Sequence, residues 1–315
     1  MNHGGRLRAA AMRSVFIPMS NIISLHAQTA TASAYAFACT ACGQCCNTPP
    51  LLTLDEALRF EAQFIITLGL RRVQPLRAGQ PVEGVAADVA DVAAQQALFE
   101  QLLYPAANGA ALQIALLATD YPTRTCPALG GDGRCTLHTA GKPLACDVVP
   151  LDALQPDRLQ HAVLASRSAG FARAACISPA AAGAGQLLID GTQVTDVGYA
   201  HDLQRHRAAL AADKTAWGNA LHRLLTDALR DVALWARIPQ AGFYQIPPVP
   251  LLALLAADPA YGPARCAQFV RAQLALIDAA LAAALQRKQA ADKPFTQQLR
   301  GMAEACRSLL PRLAA

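Results

Sequence analysis

The sequence predicts a mainly α chain with an irregular, loop-rich cysteine-cluster region for metal binding and minor β structure. Three observations lead there. Four cysteines fall within eight residues, Cys39, Cys42, Cys45 and Cys46, spaced C-x2-C-x2-C-C. Glycine- and proline-rich segments then carry four more, Cys126, Cys135, Cys146 and Cys176. From about Tyr199 onward the chain turns to alanine- and leucine-rich stretches with helical periodicity. The expected organisation is an N-terminal segment over residues 1–35 that is disordered or lies upstream of the true start, a cysteine-cluster domain over 36–195, and an α-helical domain over 196–315.

Taken in order, Arg6, Arg8 and Arg13 precede an apolar run from Val15 to Leu25 that Pro18, Ser20 and Asn21 interrupt, a poor fit to a secretory signal. After the cysteines, Asn47-Thr48-Pro49-Pro50 cannot continue a helix. Thr53 and Glu56 have the spacing of a capping box, so a helix is expected from there, with Leu58, Phe64, Ile65 and Leu68 on its apolar face and Gly69 at its end. Residues 71 to 93 read as an irregular connection holding a short strand or two, Ala94 to Tyr104 as helix, and Leu112 to Leu117 as strand or helix. Cys126 to Cys135 has a glycine-rich tip and reads as a hairpin-like loop. His161 to Ser168 reads as a short strand, and Leu187 to Gly191 as a brief strand and turn. Leu221, Leu224, Leu225, Ala228, Leu229 and Val232 recur at helical spacing. Gly242 to Pro250 interrupts the helices, which resume at Leu251 to Ala257, near Ala264 to Lys288 and near Pro294 to Leu310.

Composition narrows the function. The 315 residues have a net charge of +5, with arginines scattered rather than clustered, and only 5% aromatic residues. Neither a basic footprint nor a base-stacking platform is present, so no nucleic-acid partner is expected. Leu274 to Leu285, the most apolar window, contains Asp278 and reads as a buried helix rather than a membrane span. The expected location is the cytoplasm of a bacterium.

The cysteines admit three readings. Disulfides fit an even count, but a chain of this size has a core and no secretory signal to go with them. Structural zinc takes four thiolates per ion. Iron–sulfur centres take four per cluster and add redox or substrate activation. Spacing alone does not separate zinc from iron. The adjacent pair Cys45-Cys46 carries a further hint, because neighbouring side chains diverge and reach two metals more naturally than one. A radical S-adenosylmethionine motif is excluded, since C-x3-C-x2-C would require cysteine where Pro49 stands. His138, between cluster cysteines, is a candidate ligand or a solvent-facing loop residue. Cys266 and Cys306 read as buried thiols within helices. Asp152 and Asp157, near Arg158, read as loop solvation.

Phe37 to Cys46, Leu52-Thr53-Leu54-Asp55-Glu56, Cys126-Pro127-Ala128-Leu129, Cys135, Lys142-Pro143 and Cys146 to Pro150 together resemble the YkgJ-type CxxCxxCC cysteine-cluster family, described as a zinc- or iron-chelating domain. The resemblance covers about residues 37 to 185, and its later cysteine corresponds to Cys176. His138 stands in place of tyrosine, and Lys142 and Asp147 in place of arginines. The resemblance implies metal ligation by Cys39, Cys42, Cys45, Cys46, Cys126, Cys135, Cys146 and Cys176. Zinc or an iron–sulfur centre is the expected cofactor. Two alternatives stand beside plain metal binding. One is an iron–sulfur enzyme acting on protein side chains, similar to flagellin lysine N-methylase. The other is a zinc-stapled module that binds a protein partner through its helical half. No catalytic base or nucleophile declares itself.

Overall fold

The computed structural model describes residues 34–82, 85–106, 109–119, 126–169, 175–180 and 185–314. The N-terminal segment expected over 1–35 lies outside them except for Ala34 and Tyr35, which open the first strand. About 53% of the described residues are helical and about 16% are strand, an α class with minor β.

Two antiparallel sheets frame the N-terminal half. The first has the order β10-β9-β1-β8, formed by Gln193–Val194, Gln186–Asp190, Ala34–Phe37 and Ile177–Pro179. The second has the order β11-β3-β7-β2, formed by Tyr244–Ile246, Ile66–Val73, Ala111–Ala118 and Leu51–Leu52, with β6 (Tyr104–Pro105) also on β7. A short hairpin joins β4 (Pro81–Val82) to β5 (Val85–Ala86). Around these lie α1 (Leu54–Arg59), α2 (Val89–Leu102), α3 (Leu144–Asp147), α4 (Gln160–Ala169) and α5 (Val197–Asp213). A π-helical turn at Lys214–Gly218 leads into α6 (Asn219–Leu229), and α7 (Val232–Arg237), α8 (Val249–Ala256), α9 (Gly262–Arg287) and α10 (Lys293–Ala314) complete the chain.

The capping box forms as expected: Thr53 accepts from the Glu56 amide and Glu56 accepts from the Thr53 amide. The helix it starts is shorter than the sequence predicts, ending at Arg59, and residues expected on its apolar face belong instead to β3 and the turn before it. Gly69 sits in mid-strand rather than at a helix end. A Cβ there would collide with Leu117 and come within 2.8 Å of the Phe243 ring, so glycine is needed for close packing. His161 to Ser168, expected as strand, is helix α4, in which Ala162, Leu164 and Ala165 are buried. Leu112 to Leu117 is strand, paired on both edges.

One hydrophobic core crosses the boundary expected near residue 195. It joins Leu52, Phe64, Ile66, Leu68 and Leu116 to Trp217, Leu251, Phe269, Val270 and Leu309. β11 adds a strand from beyond that boundary to β3. Gln273 on α9 ties the two regions in detail. Its Oε1 accepts from the Ile66 amide at 2.7 Å, and its Nε2 donates to the carbonyls of Glu61 and Phe64 at 2.8 and 3.0 Å. A second, smaller cluster holds Tyr35, Leu151, Leu164, Ile177, Leu188, Ile189 and Leu203.

Helix α9 is long and apolar enough by length and composition to cross a membrane, and 28% of its apolar window is buried. The expected buried helix is therefore buried along one face only. That face carries Cys266, Phe269, Val270 and Ile277, while much of the rest is alanine.

Candidate metal centre

The site is assembled by backbone pairing around the cysteine-rich stretch. β1 ends at Phe37, in register with Ile177 of β8, and the Ala38 amide donates to the Cys176 carbonyl at 2.9 Å. Cys39 thus leaves the sheet beside Cys176. The chain then turns through left-handed backbone at Ala41 and Gly43, with φ of 53° and 70°, and enters a 3-10 turn at Gln44–Asn47 that carries Cys45 and Cys46. The Cys126 amide donates to the Cys46 carbonyl at 3.1 Å, which brings the second group of cysteines alongside the first.

The segment from Cys126 to Thr136 folds back on itself as the sequence predicts. Leu129 bridges Cys135, and the Thr136 amide donates to the Ala128 carbonyl at 2.8 Å. Its glycine tip is docked against the first loop. A Cβ at Gly133, where φ is 77°, would stand 2.5 Å from the Ala41 carbonyl oxygen, and one at Gly43 would stand 2.9 Å from Leu129. Two positive-φ glycines therefore let the two cysteine loops touch. The Ala128 amide points at Cys126 Sγ, 3.4 Å away, the donor orientation that favours a thiolate.

Cys146 is placed by Glu56. One carboxylate oxygen completes the α1 capping box, and the other accepts from the Leu144 amide at 2.6 Å, holding the first turn of α3. Glu56 is 5% exposed, so this carboxylate is committed to structure. Its second role was hidden in the sequence, where the capping box alone accounts for it. Lys142 and Asp147 pair with each other at 3.3 Å, and Arg205 from α5 adds to Asp147 at 3.6 Å.

Cys39, Cys42 and Cys45 are exposed, whereas Cys46, Cys126, Cys135, Cys146 and Cys176 are half-buried, and all ten cysteines are free thiols. Cys45 Sγ and Cys46 Sγ lie 4.0 Å apart. Their shared hydrogen bond lowers the Cys45 thiol to about 6, with Lys142 and Arg167 assisting against the opposing effect of burial. The same bond, burial and the nearby Cys45, Cys126 and Cys146 push Cys46 up. Burial, followed by Cys126 and Cys135, pushes Cys146 up to about 12. Cys176 is raised by burial and then by Cys42, Cys39 and Cys45. The thiols therefore lie within electrostatic reach of one another.

Among the described residues, no three His, Cys, Asp or Glu side chains are arranged to hold a metal as they stand. Like-charged thiolates repel, and the ion itself normally draws such ligands together. The donor chemistry suits a soft metal, being all sulfur. The Cys45–Cys46 separation of 4.0 Å is close to the ~3.8 Å between two thiolates around a tetrahedral zinc with Zn–S bonds of ~2.3 Å. His138 is exposed, and its amide donates to the Cys135 carbonyl at 3.2 Å. Cys266 and Cys306 are 2% and 1% exposed within α9 and α10. No family model matches the chain, and neither a curated protein nor a solved structure does.

Proposed function

We propose that this chain is a metal-binding protein that chelates zinc or an iron–sulfur centre through Cys39, Cys42, Cys45, Cys46, Cys126, Cys135, Cys146 and Cys176. The observation that carries the reading is the return of four distant cysteines to the first four. Backbone hydrogen bonds join Ala38 to Cys176 and Cys126 to Cys46, and Glu56 positions the turn that bears Cys146. A motif whose cysteines merely lined a surface loop would not need glycines at both docking points. The likeness of the motif to the CxxCxxCC cluster family supports the same reading.

Thiolates supply charge and softness, and the bound metal would supply a cross-link between loops that have little core of their own. In zinc-finger peptides that link contributes ~10–16 kcal/mol of apparent folding energy. Replacing Cys42 or Cys135 with serine is accordingly expected to release metal and lower the solubility of the full-length protein. Full metal occupancy with wild-type stability in both variants would overturn the proposal.

A further inference from the structure

Strand β7 is paired with β3 along its whole length on one edge, but its other edge is covered only towards the two ends. β2 reaches Leu116 and Leu117, β6 reaches Ala111 and Leu112, and among the described residues no strand spans the three positions between. The ladder fixes which edge each residue faces. The Ala118 amide donates to the Pro50 carbonyl on the β2 side, and the Thr119 amide donates to the Ile65 carbonyl on the β3 side. Alternation therefore directs the Ile114 N–H and C=O into the gap. In register, β2 would meet Ile114 at Leu54. The chain turns there into α1 instead, and the Leu54 amide donates to Asp213 Oδ2 at 2.8 Å.

The gap is a small cavity. Asp213, Lys214 and Trp217, at the start of the π-helical turn, bound it from the helical side, and Gln113 bounds it from the sheet. Two of these side chains have unmet hydrogen-bonding atoms. Gln113 Oε1 and Trp217 Nε1 have no partner in the protein, although the two residues are only 4% and 5% exposed. Buried polar atoms left in this way are costly, and native proteins satisfy them with ordered water. The cavity offers about 20 Å³ to the centre of a water-sized sphere, against the ~10–15 Å³ that one water requires. A metabolite does not fit.

We propose that this notch is a binding site for a single water molecule, which completes the β7 edge and ties it to the π-helical turn. The pattern of donors and acceptors selects water over an ion. The Trp217 indole and the Ile114 amide both donate, and a cation cannot accept from them. Gln113 Oε1, the Ile114 carbonyl and the Asp213 carboxylate all accept, and an anion has nothing to donate to them. Water donates and accepts together, and a buried one makes ~2–4 such bonds. The site joins a strand of the N-terminal half to the first long helices of the C-terminal half, through a contact that neither half makes alone.

The test is a pair of water-selective NOESY and ROESY spectra of the full-length chain. The sequence has two tryptophans, Trp217 and Trp235, so Trp235→Phe identifies the Trp217 indole proton. That proton and the Ile114 amide should each show a water cross-peak of opposite sign in the two spectra, the signature of long-lived bound water. Proton exchange and fleeting surface water give the same sign in both. Tyr104→Phe removes the hydroxyl that also lines the notch, and both cross-peaks should survive it. Absence of either cross-peak in the folded wild type, equal signs in the two spectra, or loss in Tyr104→Phe would overturn the proposal. If Tyr104→Phe does not fold, Gln113→Met decides: loss of the cross-peaks supports a water held by Gln113, and their persistence overturns it.

Discussion

At the scale of single residues, the fold depends on polar side chains that the sequence presents as ordinary. Gln273 lies in an apolar helix, yet it is 1% exposed and satisfies one amide and two carbonyls of the turn between α1 and β3. Gln273→Leu leaves those groups buried without partners and should cost ~2–4 kcal/mol in a denaturant unfolding experiment; a loss below ~1 kcal/mol would contradict the role. His206 on α5 is 3% exposed, and burial lowers its pKa to about 4, with Asp152 opposing and Arg207 assisting. The folded state thus binds this proton less readily than the unfolded chain. Stability attributable to His206 is present above the unfolded pKa near ~6.5 and is lost as pH falls toward 4, up to ~3 kcal/mol. The urea midpoint of His206→Leu should therefore fall less than that of the wild type between neutral and acidic pH. Equal falls in the two proteins would rule this out. Asp157, expected as loop solvation, is structural, and so is its neighbour Arg158. Arg158 clamps Asp88 and Asp91 at 2.9 Å each, and Asp157 meets the buried Arg207 at 2.7 Å. Their partners are 50 or more residues away, a distance that no local pattern reveals.

At the scale of elements, what was legible is what local chemistry decides. Thr53 and Glu56 announced a helix start because a capping box is made within four residues. Leu187 to Gly191 announced a strand and turn, and Gly191 does take a positive φ of 58°. The failures fell where a short apolar run suits either period. Ile66 to Leu70 fits one face of a helix or the buried strand it becomes, and the choice is made by β7 and β11 pairing on either side. Gly69 records that choice. Gly69→Val should lower stability by ~1–3 kcal/mol through overpacking against Leu117 and Phe243. Gly131→Ala, which meets nothing within 4 Å, should be close to neutral. Similar midpoints for the two variants would argue against a packing role for Gly69.

At the scale of the whole molecule, the cysteine loops and the helices share a foundation. Cys126 and Cys135 rest on the same core as Leu251, Phe269 and Leu309, so the helical region supports the loops as well as following them in the chain. The sequence marked candidate metal ligands, since thiols at two-residue gaps are a local signal. It could not show which thiols meet, because that depends on β1 pairing with β8 across about 140 residues and on a hairpin docking by its glycines. The choice between zinc and iron–sulfur for the proposed centre was equally out of reach, because four thiolates suit both.

The most direct measurement is elemental analysis for zinc, iron and labile sulfide, with an absorption spectrum, on full-length protein purified without oxygen. The proposal predicts stoichiometric metal: either colourless protein carrying zinc, or brown protein with matching iron and sulfide. Folded protein with neither metal, and with the eight cluster thiols free to react with a thiol reagent, would contradict it.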